Sequence, residues 1–223
     1  MLANFLTLRR VARCHEEHSR HARRKDFDTA FPGVRRSCYN AGMRRALRLH
    51  PDSLCLAATQ IEVDVARPRA GSVVFSYFVT GKIGDLRIPP ITSATRTEEL
   101  WQTTCFEAFV RTSANAAYYE FNFAPSTQWA VYRFSGYRSG MRAATDISAP
   151  RIEVQTSPEL FTLRAALELG RLSSLPRDAV WSLGLSALIE ESNGRKSYWA
   201  LAHPAGKADF HHSDCFAHQC FPS

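Results

Sequence analysis

Glu107, Glu120 and Asn122 are the residues of this 223-residue chain whose spacing points most directly to shared chemistry. Between residues 105 and 111, Phe106, Ala108 and Val110 alternate with Cys105, Glu107, Phe109 and Arg111. Between 118 and 123, Tyr119, Phe121 and Phe123 alternate with Tyr118, Glu120 and Asn122. Successive side chains of a strand project to opposite faces, so the apolar sets belong to a core and the polar sets to the other surface. If the two strands are neighbours, two carboxylates, an amide and several aromatic rings share one face. That combination suits sugars: rings stack on the apolar faces of a pyranose, while carboxylates and amides engage pairs of hydroxyls. A merely solvated sheet face would show the same alternation.

Other chemistries find less support. Neither a GxGxxG nor a GxxxxGK[ST] loop is present, and Gly-x-Ser-x-Gly is absent. Serines and histidines are plentiful, yet no spacing nominates a triad, whose members are recognised by geometry. Glu190 and Glu191 are adjacent, so on a strand they point to opposite faces and cannot act as an acid/base pair; a solvated hairpin end is their expected place. His211, His212, Asp214, Cys215 and His218 resemble a metal cluster locally, with His203 nearby, but no second ligand pair accompanies them. No metal is expected. Cys14, Cys38, Cys55, Cys105, Cys215 and Cys220 form no CxxC pair, and reduced thiols are the expectation.

The elements that must position these residues are strands. From residue 54 onward the apolar period is two, as in Ile61, Val63 and Val65, then Val73, Phe75, Tyr77 and Val79, and later Leu183, Leu185, Ala187 and Ile189. Prolines and glycines fall between the runs, and Ser192-Asn193-Gly194 joins two apolar segments as a hairpin turn would. Residues 97–103 offer only a weak helical candidate. About nine or more short strands predict one all-β domain, an antiparallel β-sandwich of jelly-roll or immunoglobulin-like type. Hydrophobic residues at 45% and charged residues at 22% are ordinary for a globular core. No apolar run approaches the roughly 20 residues of a membrane-spanning helix.

The net charge of +7 is unevenly placed. Residues 1–49 hold 12 Lys/Arg against 4 Asp/Glu, whereas residues 50–223 hold 16 against 17. The basicity belongs to a leader, here expected to be disordered over 1–46, with the domain at 47–223. An arginine-rich arm can touch phosphates, but the body gives no footprint of specific nucleic-acid binding. A cytoplasmic monomer or weak oligomer without a membrane partner is expected, since the apolar piece at residues 2–8 precedes its charges and so inverts a secretory signal.

Several segments carry a family resemblance. Residues 96–109 (RTEELWQTTCFEAF), 119–126 (YEFNFAPS) and 129–132 (WAVY), with 137–141 (YRSGM), 185–190 (LSALIE), 197–204 (SYWALAHP) and 209–212 (DFHH), resemble a bacterial group of uncharacterised DOMON-like proteins. That group is related to the family 9 carbohydrate-binding modules. The likeness spans about residues 47–223 and implies an antiparallel β-sandwich with a non-catalytic, sugar-binding ancestry. In the modules a Trp stands six residues before a strand Glu, as Trp101 stands before Glu107, and the next strand supplies an Asn that Asn122 matches. The resemblance places Phe210 as the second aromatic wall. Three departures stand out: Phe210 where a second Trp is usual, Cys105 where an Asp precedes the strand Glu, and Glu120 where a basic residue is found. The ligand is therefore expected to be a small carbohydrate, held by Trp101, Glu107, Glu120, Asn122 and Phe210.

Other members of the wider superfamily bind haem b through Met and His. Met141, with His203 or His211, could supply such a pair, and this is the alternative to a site without cofactor. An enzyme is the third class, with no residue nominated. Deleting residues 1–42 should leave the melting temperature unchanged; a drop of several degrees, equivalent to about 1 kcal/mol or more for a domain of this size, would show that the leader contributes to folding.

Overall fold

The computed structural model describes residues 44–112, 116–170 and 172–222. The leader over 1–42 and Cys14 and Cys38 within it lie outside the described residues. Twelve strands run in chain order: β1 (Arg45–Leu49), β2 (Ala58–Ala66), β3 (Ser72–Gly81), β4 (Cys105–Thr112), β5 (Tyr118–Phe123), β6 (Trp129–Phe134), β7 (Arg142–Ala143), β8 (Arg151–Thr156), β9 (Leu160–Glu168), β10 (Trp181–Glu190), β11 (Lys196–Ala200) and β12 (His218–Cys220). Residues 45 and 46, on the leader side of the expected boundary, thus already belong to β1. Among the described residues every ladder is antiparallel, in the order β7-β6-β5-β4-β10-β11-β1-β2-β3-β9-β8, with β12 also on β10. Strand β1 links the two layers of the sandwich, pairing with β2 on one side and with the end of β11 on the other.

Period-two alternation builds the core, as expected. Ile61, Val63, Phe75, Tyr77, Phe161 and Leu163 of one layer meet Phe106, Phe121, Phe123, Leu183 and Leu185 of the other in one apolar cluster. The rings interlock across the layers: Phe106 stacks on Phe161 at 5.7 Å and lies 5.0 Å from Tyr77. The Tyr77 hydroxyl, wholly buried, donates to the backbone carbonyl of Glu107 at 2.7 Å, so the first sheet grips β4 directly beneath the candidate site. The predicted helical candidate shrinks to a single 3-10 turn, Leu100–Gln102. Near the C-terminal end a 3-10 turn, Ser213–Cys215, precedes β12.

One expectation is overturned at the β10–β11 hairpin. Glu190 and Glu191 are not solvated; they are 5% and 4% exposed. The Glu191 carboxylate accepts the backbone N–H groups of Leu56 and Ala57 through one oxygen, both at 2.8 Å, and the Arg195 guanidinium through the other at 3.2 Å. Glu190 pairs with Arg87 at 2.8 Å. The hairpin end is covered because the segment before β2 folds onto it. Gly81 makes room for that segment: its φ is 152°, and a Cβ there would stand 2.0 Å from the Ala57 carbonyl oxygen.

Removing the Glu191 carboxylate strands two backbone donors, whereas removing Arg195 exposes an acceptor to water. Glu191→Ala should cost about 3–6 kcal/mol in urea unfolding, from two charge-assisted bonds of about 1.5–3 kcal/mol each. Arg195→Ala should cost under about 1 kcal/mol, as for other partly exposed pairs. Equal losses would mean that Glu191 does not tether the segment.

Candidate functional site

The outer face of β4, β5, β6 and β10 gathers the predicted polar trio. Register sets Glu107 opposite Asn122 on one side and opposite Ser186 on the other, while Glu120 lies opposite Phe109 and Tyr132. Asn122 donates to Glu120 Oε1 at 2.8 Å, and its Oδ1 lies 3.5 Å from the Cys105 thiol. Ser186 reaches Glu107 Oε2 at 3.4 Å. Around them Leu100, Phe109, Tyr118, Tyr132 and Phe134 form a second apolar cluster, with Phe210 and Phe216 packed against it. The face is buried and not merely solvated: Glu107, Glu120 and Asn122 are 4%, 6% and 1% exposed.

Two segments cover it. The first carries Trp101. Arg96 fastens it to β6 through the Val131 carbonyl at 3.2 Å and to the residue after β7 through the Ala144 carbonyl at 2.8 Å, with its guanidinium 4.4 Å above the Trp129 ring. The Glu98 carboxylate accepts the Tyr132 hydroxyl. Glu99, at φ 60°, turns the chain in a left-handed conformation into the Leu100–Gln102 turn. Leu100 points down into the cluster, and Trp101 is left half-exposed at 50%.

The second segment crosses from residue 202 to 217. Asp209 anchors it, accepting Arg138 Nη2 at 2.8 Å, the Tyr137 hydroxyl and the His211 amide at 3.1 Å. The His211 ring then inserts among Phe109, Tyr118 and Phe134, at 5.0, 5.9 and 5.1 Å between centroids. Its Nδ1 lies 2.8 Å from the Tyr118 hydroxyl, and its Nε2 3.8 Å from Glu120 Oε2. The Arg138 amide donates to the same hydroxyl at 3.2 Å. Gly184 permits the close crossing, since a Cβ there would lie 3.2 Å from the Cys215 carbonyl oxygen and 3.3 Å from Phe109.

Phe210 sits in this segment against Tyr198 and His203, at 6.1 and 6.4 Å. Tyr198 is level with Leu188, which is level with Cys105, so Phe210 and Trp101 occupy the same end of the face. They make no ring contact with each other. At the other end a cavity of about 300 Å³ opens, lined by Arg111, Tyr118, Tyr137, His211, His212 and Phe216. Alternation placed Arg111 and Tyr118 on this face; Tyr137 and His212 join them only through the fold, although both lie in segments that carry the family resemblance.

The haem candidates fall differently. Met141 is 61% exposed. His203 Nε2 bonds the Arg48 carbonyl at 2.9 Å, and its ring meets His50 edge-on at 4.9 Å. His211 is held between Tyr118 and Glu120 as described. Among the described residues, no three His, Cys, Asp or Glu side chains converge on a metal-sized site.

Burial dominates the electrostatics. It pushes Glu107 well above the usual carboxylate range, and the neighbouring Glu120 charge adds to the shift. Glu120 is also raised by burial, against the opposing pull of Asn122 and Arg138. Two like charges this close resist ionising together. Burial, then the Arg138 charge, lowers His211 to about 4.

No family model matches the chain, and no curated protein does. Solved structures share its architecture. A protein of Bacteroides uniformis to which carbohydrate binding is ascribed matches with a TM-score of 0.54 and 11% identity, over 78% of this chain and 83% of its own. A family 9 carbohydrate-binding module of Caldicellulosiruptor kristjanssonii in complex with cellotriose matches with a TM-score of 0.43 and 14% identity, over 74% and 75%. The glucose complex from the same organism gives 0.40 and 14%, over 75% of each chain. The Bacteroides uniformis match shares the fold of this chain, a β-sandwich.

A carboxyl whose folded pKa is raised adds stability below its unfolded value, near 4.5, and that stability is lost as pH rises through the folded value. Glu107→Gln removes the titration. The variant should match the parent in denaturant midpoint at pH 4 and exceed it at pH 8. A loss of stability at pH 8 would mean that the charge on Glu107 is compensated.

Proposed function

We propose that this domain is a DOMON-like relative of the family 9 modules and a non-catalytic carbohydrate-binding domain, its sugar stacking on Trp101 above the polar trio. The observation that carries this reading is the presence of a half-exposed indole beside a sandwich face that also holds two buried carboxylates and an amide. A protein gains nothing in stability by holding Glu107 beside Glu120 in an apolar surround. A ligand whose hydroxyls donate to those oxygens gives the arrangement a use. Phe210 forms the second wall, and Asn122 bridges from Glu120 toward Cys105. The nature of the structural neighbours supports the ligand class, and the sequence likeness supports the site.

The trio is covered in this state, so the sugar's first contact is Trp101, and hydrogen bonding to the floor follows displacement of the Leu100 or Phe210 cover. Trp101→Ala is the decisive variant. Because the ring is half in solvent, the variant should fold with a near-native melting temperature. Against a panel of mono- and oligosaccharides its affinity for any sugar that the parent binds should fall by about tenfold or more, from an aromatic contact of about 1–3 kcal/mol. Unchanged affinity in a folded variant removes the cleft. A Soret band in the visible spectrum of the purified protein would instead favour the haem reading of Met141 with His203 or His211.

A further inference from the structure

A second cavity lies where the two layers part. Strand β10 is flanked on one side by two strands placed end to end: β12 pairs with Trp181–Leu183, and β11 with Ser186–Glu190. Strand β1 continues the column beyond β11, but joins it only through Arg48 and Leu49. Following the registers, Arg48 is level with Ala200 and Ser186, which puts Arg45 level with Leu183 and so with His218. Yet no ladder joins β1 to β12 among the described residues. The column splits there.

The split holds a cavity of about 640 Å³, lined by Arg44, Arg45, Arg48, His218, Gln219 and the exposed ring of Phe221 together with small apolar side chains. Among the described residues no Asp or Glu lines it. Arg44 is drawn partly aside, 3.6 Å from Glu62 and 3.7 Å above the Phe78 ring. Arg45 and Arg48 have no carboxylate within ion-pair distance among the described residues, although both are exposed. His218 feels the crowding: burial, then the Arg45 charge, lowers its pKa. Among the described residues, Arg45, Arg48 and His218 therefore line the seam with no carboxylate beside them. The space exceeds what one simple ion fills and falls in the range of small-molecule sites.

We infer that this seam binds an oligophosphate, either free or as the diphosphate end of a larger small molecule. Guanidinium forks match phosphate oxygens two at a time, and phosphates in tandem concentrate several negative charges within the reach of neighbouring arginines. Arg45 and Arg48 hold the charge, Gln219 can donate to a bridging oxygen, and Phe221 with the alanines accepts the body of a larger ligand. The site is separate from the Trp101 face and does not depend on the sugar reading.

Calorimetric titration of the full chain with inorganic pyrophosphate tests it, with citrate as a carboxylate of comparable charge and adenosine diphosphate as the larger source. Pyrophosphate should bind, and Arg45→Ala/Arg48→Ala should weaken it by at least about tenfold, as expected for the loss of charge-assisted hydrogen bonds. Arg142→Ala, which removes an exposed arginine from β7, should leave the affinity unchanged. Tighter binding of adenosine diphosphate identifies the larger source; equal binding identifies the free ion. If the double variant does not retain the parent's near-ultraviolet circular dichroism, Arg45→Gln alone carries the same comparison. Equal affinity in the folded double variant, or no pyrophosphate binding by the parent, overturns the site. Equal affinity for citrate overturns the assignment to phosphate.

Discussion

Strands β4, β5 and β10 are covered on both faces, and this two-sided burial governs the rest of the molecule. A sheet with one wet face can carry polar residues there at little cost. Here the inner face meets the other layer, while the outer face lies under the Leu100 turn and residues 202–217. Polar groups on the outer face must therefore find partners within the protein, because unpaired burial costs a few kcal/mol per group. Asn122, Ser186, Cys105 and His211 are those partners, and each lies on or above the same strands.

The covering segment is held by charge at one point and by shape elsewhere. Asp209 gathers Arg138, Tyr137 and its own chain, and Arg138 opposes the raised pKa of both Glu107 and Glu120. The turn that presents Arg138 thus serves the cover and the floor together. His211 adds rigidity without charge, since its depressed pKa keeps the ring neutral across the physiological range. Around it the contacts are aromatic edges and faces, which fix orientation better than aliphatic packing does.

Much of this was legible in the sequence, and the remainder was hidden for identifiable reasons. The cores of β2, β3, β4, β5 and β10 announce themselves because their inner residues are large and regularly spaced. Strand β1 does not, since Leu47 is its one buried residue among three arginines and a second leucine in 44–49. Alternation placed Glu107, Glu120 and Asn122 on one face correctly, but gives no account of what lies above that face. Part of the cover comes from residues about 90 positions further on, as in the Tyr118–His211 bond. Glu191 was misplaced for the same reason: its partner Ala57 is 134 residues away. His211, conspicuous in the sequence beside His212, Asp214 and Cys215, turns inward toward a tyrosine and a glutamate, while Cys215 turns its thiol to the carbonyls of Ala202 and Asp209. Neighbours in sequence diverge in space, and periodicity carries no information about that.

The order β4-β10-β11-β1 has a consequence for how the chain reaches this state. During vectorial synthesis the β2–β3 hairpin and the β4–β5–β6 meander emerge early and can pair at once. Their remaining edges cannot: β3 waits for β9, β4 for β10, and β1 for β11. Non-local pairings of this kind make folding slow, because loop-closure entropy is spent before the contacts that repay it form. Until β10 is made, the unpaired side of β4, with Phe106 and Phe109 on its two faces, stands open to other chains. The nascent domain is thus most vulnerable in its first half, and translation through β9–β11 is the interval in which chaperone protection of that edge matters most.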